Sequence, residues 1–537
     1  MRIFNGSFPG GGVVAILMVL CAVILLVGMG AESHAAGIGE IADPPAVEED
    51  APAAPAAPAA APEEQKQAEA PAAVVPEQKQ QRKQHSLSES KKAARISDVP
   101  WYYRLISFFG IFILLGVAWL FSAHKRKVKW RTIIWGVGLQ LIFAVLVLKT
   151  GAGRSFFSAI NDGFVKVLEF TEEGSRFLFG NLVHNNVPVG TPLFSGGSMS
   201  PLDTSAGQWA NVGAYFAFNV LPTIIFFSSL MAVLYHLGIM QRLVQGMAYI
   251  MQKTMKTSGA ESLSAASNVF VGQTEAPLMI RPYVGDMTLS ELMAVMVGGF
   301  ATVAGGVMAA YIGMLKGFFP DIGGHLLSAS VMSAPAALVV AKLMMPETAI
   351  PRTQDGARVE VKKQHVNVID AAAGGAADGL KLAVNVGAML LAFIAFIAML
   401  NFLLGAAGSW IGWENLSLEL ILGYVFWPFA FIMGIPASEC MLVAQLLGEK
   451  TVVNEFYAYL HLANELNAGA ALSPRSLVIA TYALCGFANF GSIAIQLGGI
   501  GGIAPHRRKD LAALGIRAMI GGTIAAFLTA TVAGMLI

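Results

Sequence analysis

The chain has 537 residues, of which 55% are hydrophobic and only 13% charged, and its mean hydropathy is +0.62. Soluble proteins carry roughly 25% charged residues, so this deficit points to an integral membrane protein. A formal net charge of +1 gives no basis for nucleic-acid binding, and Cys21, Cys440 and Cys485 form neither a disulfide framework nor a metal-ligand spacing.

In chain order, residues 1–36 resemble a secretory signal peptide: Arg2, an uncharged run over Val13–Val27 and the cleavage-like Ser33-His34-Ala35. An uncleaved anchor is the alternative. Residues 37–100 are rich in Pro, Ala, Glu, Gln and Lys, with Ala51-Pro-Ala-Ala-Pro-Ala-Ala-Pro58 as the extreme, and predict a disordered tether that cannot bury a core.

Spanning candidates follow at Leu105–Ser122, Thr132–Leu148, Ala214–Tyr235, Leu289–Leu315, Leu326–Met345, Leu380–Leu404, Leu477–Leu497 and Ile516–Ile537. A helix over Phe156–Phe170 is expected in the long connection 151–211. Gly238–Lys256, with Ile239, Leu243, Met247 and Ile250 at helical spacing, predicts an interfacial helix, and Leu416–Met433 its counterpart. The expected fold is all-α and polytopic, with about eight transmembrane helices plus two re-entrant hairpins, at 259–284 and 438–463, in an inverted repeat. Residues 101–213 would supply the N-terminal helices and 214–537 the core that holds both hairpins.

Alternate connections are basic: Lys125, Arg126, Lys127, Lys129 and Arg131; Arg242, Lys253 and Lys256; Arg352, Arg358, Lys362 and Lys363; Arg507, Arg508 and Lys509. The opposite connections are nearly free of lysine and arginine. The basic set should be cytoplasmic, which places both mature termini outside.

The hairpins carry the polar breaks. In Ser267-Asn-Val-Phe-Val-Gly-Gln-Thr-Glu-Ala-Pro-Leu278, the apolar flanks are too short to cross a bilayer, and Gly272 and Pro277 break the helix around Gln273, Thr274 and Glu275. Irregular backbone at membrane depth survives only where protein buries it or where it lines a polar cavity, and a carboxylate there is a functional hypothesis by default. The order hairpin, glycine-broken span, plain span occurs twice. The first copy runs through Thr302-Val-Ala-Gly-Gly306 and Leu326–Met345. The second runs through Asn454-Glu-Phe-Tyr-Ala-Tyr459, Cys485-Gly-Phe-Ala-Asn-Phe-Gly-Ser492 and Ile516–Ile537. Two copies of opposite orientation with broken helices mark an inverted-repeat transporter whose site lies where the breaks meet.

Glu275 and Glu455 are the informative carboxylates. A structural ion pair or a water-exposed rim is the bland alternative. As acceptors for an uncharged polar ligand, each would contribute roughly 1.5–3 kcal/mol per charge-assisted bond. Gln273 and Thr274 add donors and acceptors suited to a heterocycle edge, and Asn489 and Ser492 add groups suited to hydroxyls. Asn268, Thr302 and carbonyls near Val271 offer oxygens to a hard cation at a half-helix end. His236, His365 and His461 lack metal-ligand spacing, Glu439 reads as helix-start electrostatics, and no HExxH, Walker A or GxSxG arrangement supports an enzyme.

Three segments also resemble the signatures of concentrative nucleoside transporters: Gly272-Gln-Thr-Glu-Ala-Pro-Leu-Met-Ile-Arg-Pro-Tyr283, Asn454-Glu-Phe-Tyr-Ala-Tyr459 and Cys485-Gly-Phe-Ala-Asn-Phe-Gly-Ser-Ile493. The resemblance covers residues 101–537. It implies a homotrimer whose protomers pair a scaffold with a mobile transport domain in an elevator-like motion. It also implies that Gln273, Thr274, Glu275 and Val307 hold a nucleobase and that Glu455, Asn489, Ser492 and Phe487 hold the ribose. A sodium ion would sit on Asn268, Thr302 and the carbonyls of Val271 and Val303. Two departures bear on the ribose side: Tyr457 replaces a smaller aliphatic residue, and Gly491 stands where serine is common.

The expected function is import of nucleosides in symport with a cation, sodium first and a proton as the alternative, across the bacterial inner membrane. A channel, a non-transporting receptor and an intramembrane enzyme are the rivals from other classes.

Overall fold

The computed structural model describes residues 99–183, 186–188, 194–195, 198–199, 209–211, 216–354, 365–410, 412–413 and 416–537. The expected signal peptide and all but the end of the tether lie outside the described residues.

Helices α1 (Tyr102–Leu120) and α2 (Trp130–Lys149) are joined by the basic turn Lys125–Lys127. Both turn apolar side chains outward, among them Phe109, Phe112, Ile134 and Ile142, as a lipid-facing pair would. Their inner faces carry polar contacts instead: Gln140 is buried and its Nε2 donates to Met332 O and to Thr529 Oγ1, each at 3.1 Å. Such bonds hold helices together where lipid removes the hydrophobic drive for association.

Helix α3 (Gly151–Phe179) is longer at both ends than the expected Phe156–Phe170; it starts early because Thr150 caps it by accepting from Gly153 N at 3.0 Å, and it runs on to Gly180, at φ +56°. Two short antiparallel pairings follow, Asn186–Pro188 with Trp209–Asn211 and Phe194–Ser195 with Ser198–Met199. Helix α4 (Leu221–His236) then bends by 77° into α5 (Ile239–Met255). The bend sits at Gly238, whose φ of +77° suits glycine. Helix α5 buries Met240, Val244, Ala248, Met251 and Met255, the stripe beside the expected one; Ile239, Leu243 and Ile250 are exposed instead. The helix therefore has two apolar faces, one against protein and one outward.

The first repeat begins with α6 (Gly259–Ser267), opened by a capping box between Ser258 and Glu261. After the tip come a 3-10 turn (Ala276–Ile280) and the short Arg281–Val284 helix. The spanning helix after it is broken at 302–304 into α7 (Leu289–Ala301) and α8 (Gly305–Leu315), and α9 (Ile322–Met344) closes the repeat. The root of the hairpin is pinned by buried charge: Lys342 Nζ lies 2.6 Å from Glu261 Oε2 and 2.9 Å from Ser290 Oγ, and Ser258 Oγ donates to Glu291 at 2.6 Å. Pairing of this kind offsets the cost of taking these charges out of water.

Helix α10 (Val368–Trp410, 43 residues) is the longest, and α11 (Leu418–Ile432) follows it. The second repeat comprises α12 (Cys440–Val452) and α13 (Glu455–Asn467), a helix broken at 485–489 into α14 (Pro474–Leu484) and α15 (Phe490–Ile503), and α16 (Arg508–Leu536). Its root is also tied by charge, with Glu439 accepting from Ser473 N at 3.0 Å and from its hydroxyl at 2.9 Å. Among the described residues, six helical stretches are long and apolar enough to cross a membrane, or seven with the bent α4–α5 pair. The expected span Leu477–Leu497 is not one of them, since its break leaves two short helices. The equivalent plain helices α9 and α16 cross at the centre, where Ser333 and Thr529 hydroxyls lie 3.3 Å apart.

Candidate substrate and ion site

The two broken helices touch at their breaks. Gly486, at φ +114°, lies so close to the end of α7 that a Cβ there would stand 2.7 Å from Phe300 O and 2.8 Å from Ala301 O. Only glycine allows both that backbone conformation and that approach.

Around this contact runs a buried chain of hydrogen bonds joining the two hairpins. Asn489 caps α15 by accepting from Ser492 N at 2.8 Å, which leaves its amide free to donate to Glu455 Oε2 at 3.2 Å. Tyr311, on α8, donates to Glu455 Oε1 at 3.0 Å. On the other side Gln273 Nε2 donates to Ser492 Oγ at 3.1 Å, and Gln496 Nε2 donates to Gln273 Oε1 at 3.0 Å and to Met296 O at 3.1 Å. Asn454, just before Glu455, caps α13 through Tyr457 N at 2.8 Å. Hence Glu455 opens a helix, where the dipole favours its charge.

Glu275 occupies a different setting. It is exposed at the hairpin tip and accepts from Thr274 Oγ1 at 3.2 Å. It lines a cavity of about 1180 Å³ bounded by the tip (Phe270, Val271, Gly272), the break (Ala304, Gly305, Gly306), α4 (Ser228, Met231, Ala232, Tyr235) and α10 (Gly375, Asp378, Leu382, Asn385). Fitted ligand pockets hold roughly 300–1,000 Å³, so this is a chamber rather than a fitted pocket. The expected base-side and sugar-side residues are thus split. Glu275 faces the chamber, while Gln273, Glu455, Asn489 and Ser492 form the network behind it. Thr274 and Phe487 are half-buried, and Val307 is buried in the first turn of α8 away from the chamber lining.

The expected cation ligands meet at the carboxyl end of α7. Asn268 Nδ2 donates to Ser264 O at 3.1 Å, and its Oδ1 is buried with no hydrogen-bond partner. Gly298 lets α6 come close here, since a Cβ at this position would stand 3.2 Å from the Asn268 amide. Thr302 spends its hydroxyl proton on Gly298 O at 2.8 Å, leaving only lone pairs to offer. No backbone hydrogen bond among the described residues runs to the carbonyls of Val271 or Val303. An orphaned buried oxygen, a donor-spent hydroxyl and free carbonyls at a negative helix end fit a hard cation. Groups of three or more His, Cys, Asp or Glu that could bind a transition metal are absent among the described residues.

Three participants escaped the sequence reading: Tyr311, Gln496 and Lys450, whose Nζ donates to Ala483 O at 2.8 Å beside the second break. Gln496 stands four residues after Ser492 on α15, the one spacing that could have revealed it. Tyr311 reads as core from its apolar neighbours, and Lys450 lies in a stretch taken as a hairpin arm.

Family models match most of the described chain: "Na+ dependent nucleoside transporter N-terminus" over 109–182, "Nucleoside recognition" over 217–318 and "Na+ dependent nucleoside transporter C-terminus" over 325–534. Solute carrier family 28 member 3 of Eptatretus stoutii is 43% identical over 81% of this chain; the chain spans 60% of that relative's length. An uncharacterized transporter of Haemophilus influenzae is 42% identical, with 81% of this chain and 98% of the relative covered. The solved structure of CNTnw in an inward-facing substrate-bound state is 41% identical, with a TM-score of 0.69 over 81% of this chain and 98% of that one. The chain belongs to the sodium-dependent, concentrative nucleoside transporter family.

Proposed function

We propose that the protein is a secondary active importer of nucleosides, driven by sodium symport through elevator-like alternating access. The observation that carries this is the hydrogen-bond chain from Gln273 through Ser492 and Asn489 to Glu455, which joins the two hairpins, with the unpartnered Asn268 Oδ1 on the first of them. An uncharged, hydroxyl-rich and heterocyclic solute suits such a lattice, because each of its polar edges can replace a bond already made there.

In this proposal Gln273, Thr274, Glu275 and Val307 hold the base, and Glu455, Asn489, Ser492 and Phe487 hold the ribose. Asn268, Thr302 and the carbonyls of Val271 and Val303 hold the sodium ion. When bound, the ion supplies positive charge at the end of α7 and ties the hairpin tip to the break. The tip is already tied there by Gly305 N donating to Phe270 O at 3.1 Å. Ion binding and substrate binding therefore favour the same hairpin shape and strengthen each other reciprocally. One sodium ion crossing 100 mV releases about 2.3 kcal/mol, sufficient for roughly fifty-fold accumulation of a neutral solute.

The protein sits in the bacterial inner membrane with both mature termini periplasmic, supported by the alternation of basic connections. It assembles as a homotrimer, as the resemblance of its three signature segments implies. Uptake of radiolabelled uridine into proteoliposomes tests the coupling. Accumulation is expected with inward sodium and is lost on Glu455→Gln; equal uptake after replacing sodium by choline at fixed pH rejects sodium in favour of a proton.

A further inference from the structure

The two repeats treat the broken ends of their interrupted helices in opposite ways. In the first, among the described residues no ammonium is bonded to the carboxyl end of α7: Asn268 Oδ1 stands orphaned there, and Thr302, its proton given to Gly298 O, has only lone pairs left. In the second, the carboxyl end of α14 receives an ammonium. Lys450 Nζ donates to Ala483 O at 2.8 Å and to Cys485 O at 3.4 Å, while the Tyr459 hydroxyl donates to Thr481 O at 2.7 Å.

The positions correspond. Asn268 stands at the end of α6, the first arm of its hairpin, and Lys450 in the last turn of α12, the first arm of the other. Lys450 is 1% exposed, and among the described residues no carboxylate oxygen lies within ion-pair distance of it. Glu455, the carboxylate of the network, follows five residues later as the first residue of α13. A buried ammonium with carbonyl partners alone is costly unless something offsets its desolvation. Here the negative end of a half-helix does so, together with the oxygens freed at its break. Those are the partners a sodium ion would seek.

We propose that Lys450 is a tethered cation that fills, in the second repeat, the position equivalent to the ion site of the first. The transporter then takes one diffusible cation, at Asn268, and carries the other in its own chain. The second hairpin is consequently closed on α14 whether or not sodium is present, and only the first hairpin is ion-gated. Lys450 acts as a positioning residue, through α14 and Glu455, without touching substrate.

The inference rests on the sodium-coupled reading above. Its test is the sodium dependence of uridine uptake by the full-length protein in proteoliposomes. The wild type and Lys450→Arg should give hyperbolic curves with a Hill coefficient of about 1, and Lys450→Asn, which recreates the Asn268 chemistry, a coefficient rising toward about 2. The half-saturating sodium concentration of Lys450→Asn should rise about ten-fold or more. A Lys450→Asn protein that stays hyperbolic with unchanged sodium affinity overturns the proposal. If that variant does not assemble, the wild-type stoichiometry decides, read from the uridine gradient at which flux reverses under set sodium gradients. One sodium per uridine supports the tethered cation and two overturns it. Wild-type uptake indifferent to sodium instead sinks the coupling itself, a separate result.

Discussion

Gly486→Ala is the sharpest perturbation of the site, because it adds one methyl group where the two broken helices touch. The alanine would have to hold φ near +114°, a region costing about 1–3 kcal/mol for a residue with a Cβ. Its methyl would also lie 2.7 Å from Phe300 O and 2.8 Å from Ala301 O, which belong to backbone and cannot swing aside. Overpacking of this kind adds about 1–3 kcal/mol. The combined cost of about 2–6 kcal/mol is met most cheaply by parting the breaks, which pulls Asn489 and Ser492 away from Gln273. At 1.4 kcal/mol per decade, uridine affinity should fall by about thirty-fold or more. The assay is equilibrium uridine binding to purified protein, with sodium-driven uptake alongside. Gly246→Ala is the control: this glycine lies in α5 with nothing within 4 Å of an added Cβ, so alanine there should stabilise the helix by up to about 1 kcal/mol. Binding by Gly486→Ala within two-fold of wild type would refute the claim that contact between the breaks organises the site.

Two further substitutions separate the substrate network from the ion site. Gln496→Ala removes the donor to Gln273 Oε1 and to Met296 O; an unmade buried bond costs about 1–3 kcal/mol, so the uridine KM should rise about five- to 150-fold while the sodium requirement at saturating uridine stays put. Asn268→Leu deletes the orphaned oxygen, and the half-saturating sodium concentration should rise about ten-fold or more. By reciprocity the apparent uridine affinity falls with it at fixed sodium and recovers at high sodium. A loss of uridine affinity that no sodium concentration restores would count against Asn268 as an ion ligand.

The hairpins and both broken spans were legible because Gly272, Pro277, Gly305, Gly486 and the polar residues beside them interrupt apolar stretches that are otherwise helical. The same interruptions singled out Gln273, Glu455, Asn489 and Ser492, which the fold brings into one network. Tyr311 was illegible: it donates to Glu455 across 144 positions of chain, and local pattern carries nothing about a partner so distant. Lys450 was missed for a related reason, since a lysine near the end of a hairpin arm resembles one that reaches water. Only the fold shows that the carbonyl end of α14 covers it. Helix α3 begins ahead of the expected Phe156 because Thr150 caps it, and α5 buries a neighbouring stripe because both of its faces are apolar. Residues 1–98 lie outside the described chain, so the leader and nearly all of the tether stay at the level of composition.

The wall of the chamber built by α4 and α10 has a consequence of its own. A Cβ at Gly379 would come within 2.8 Å of Ile225 Cα, and one at Gly375 within 2.8 Å of Ser228 O, so these helices lie backbone against backbone for more than a turn. The facing wall is a hairpin tip tied by single polar bonds. A fissure with one welded side and one stitched side can widen only by loosening the stitches. Bulk placed at Gly375 or Gly379 would therefore not be absorbed locally but would push α4 into the chamber, throttling the passage from the side opposite the cargo.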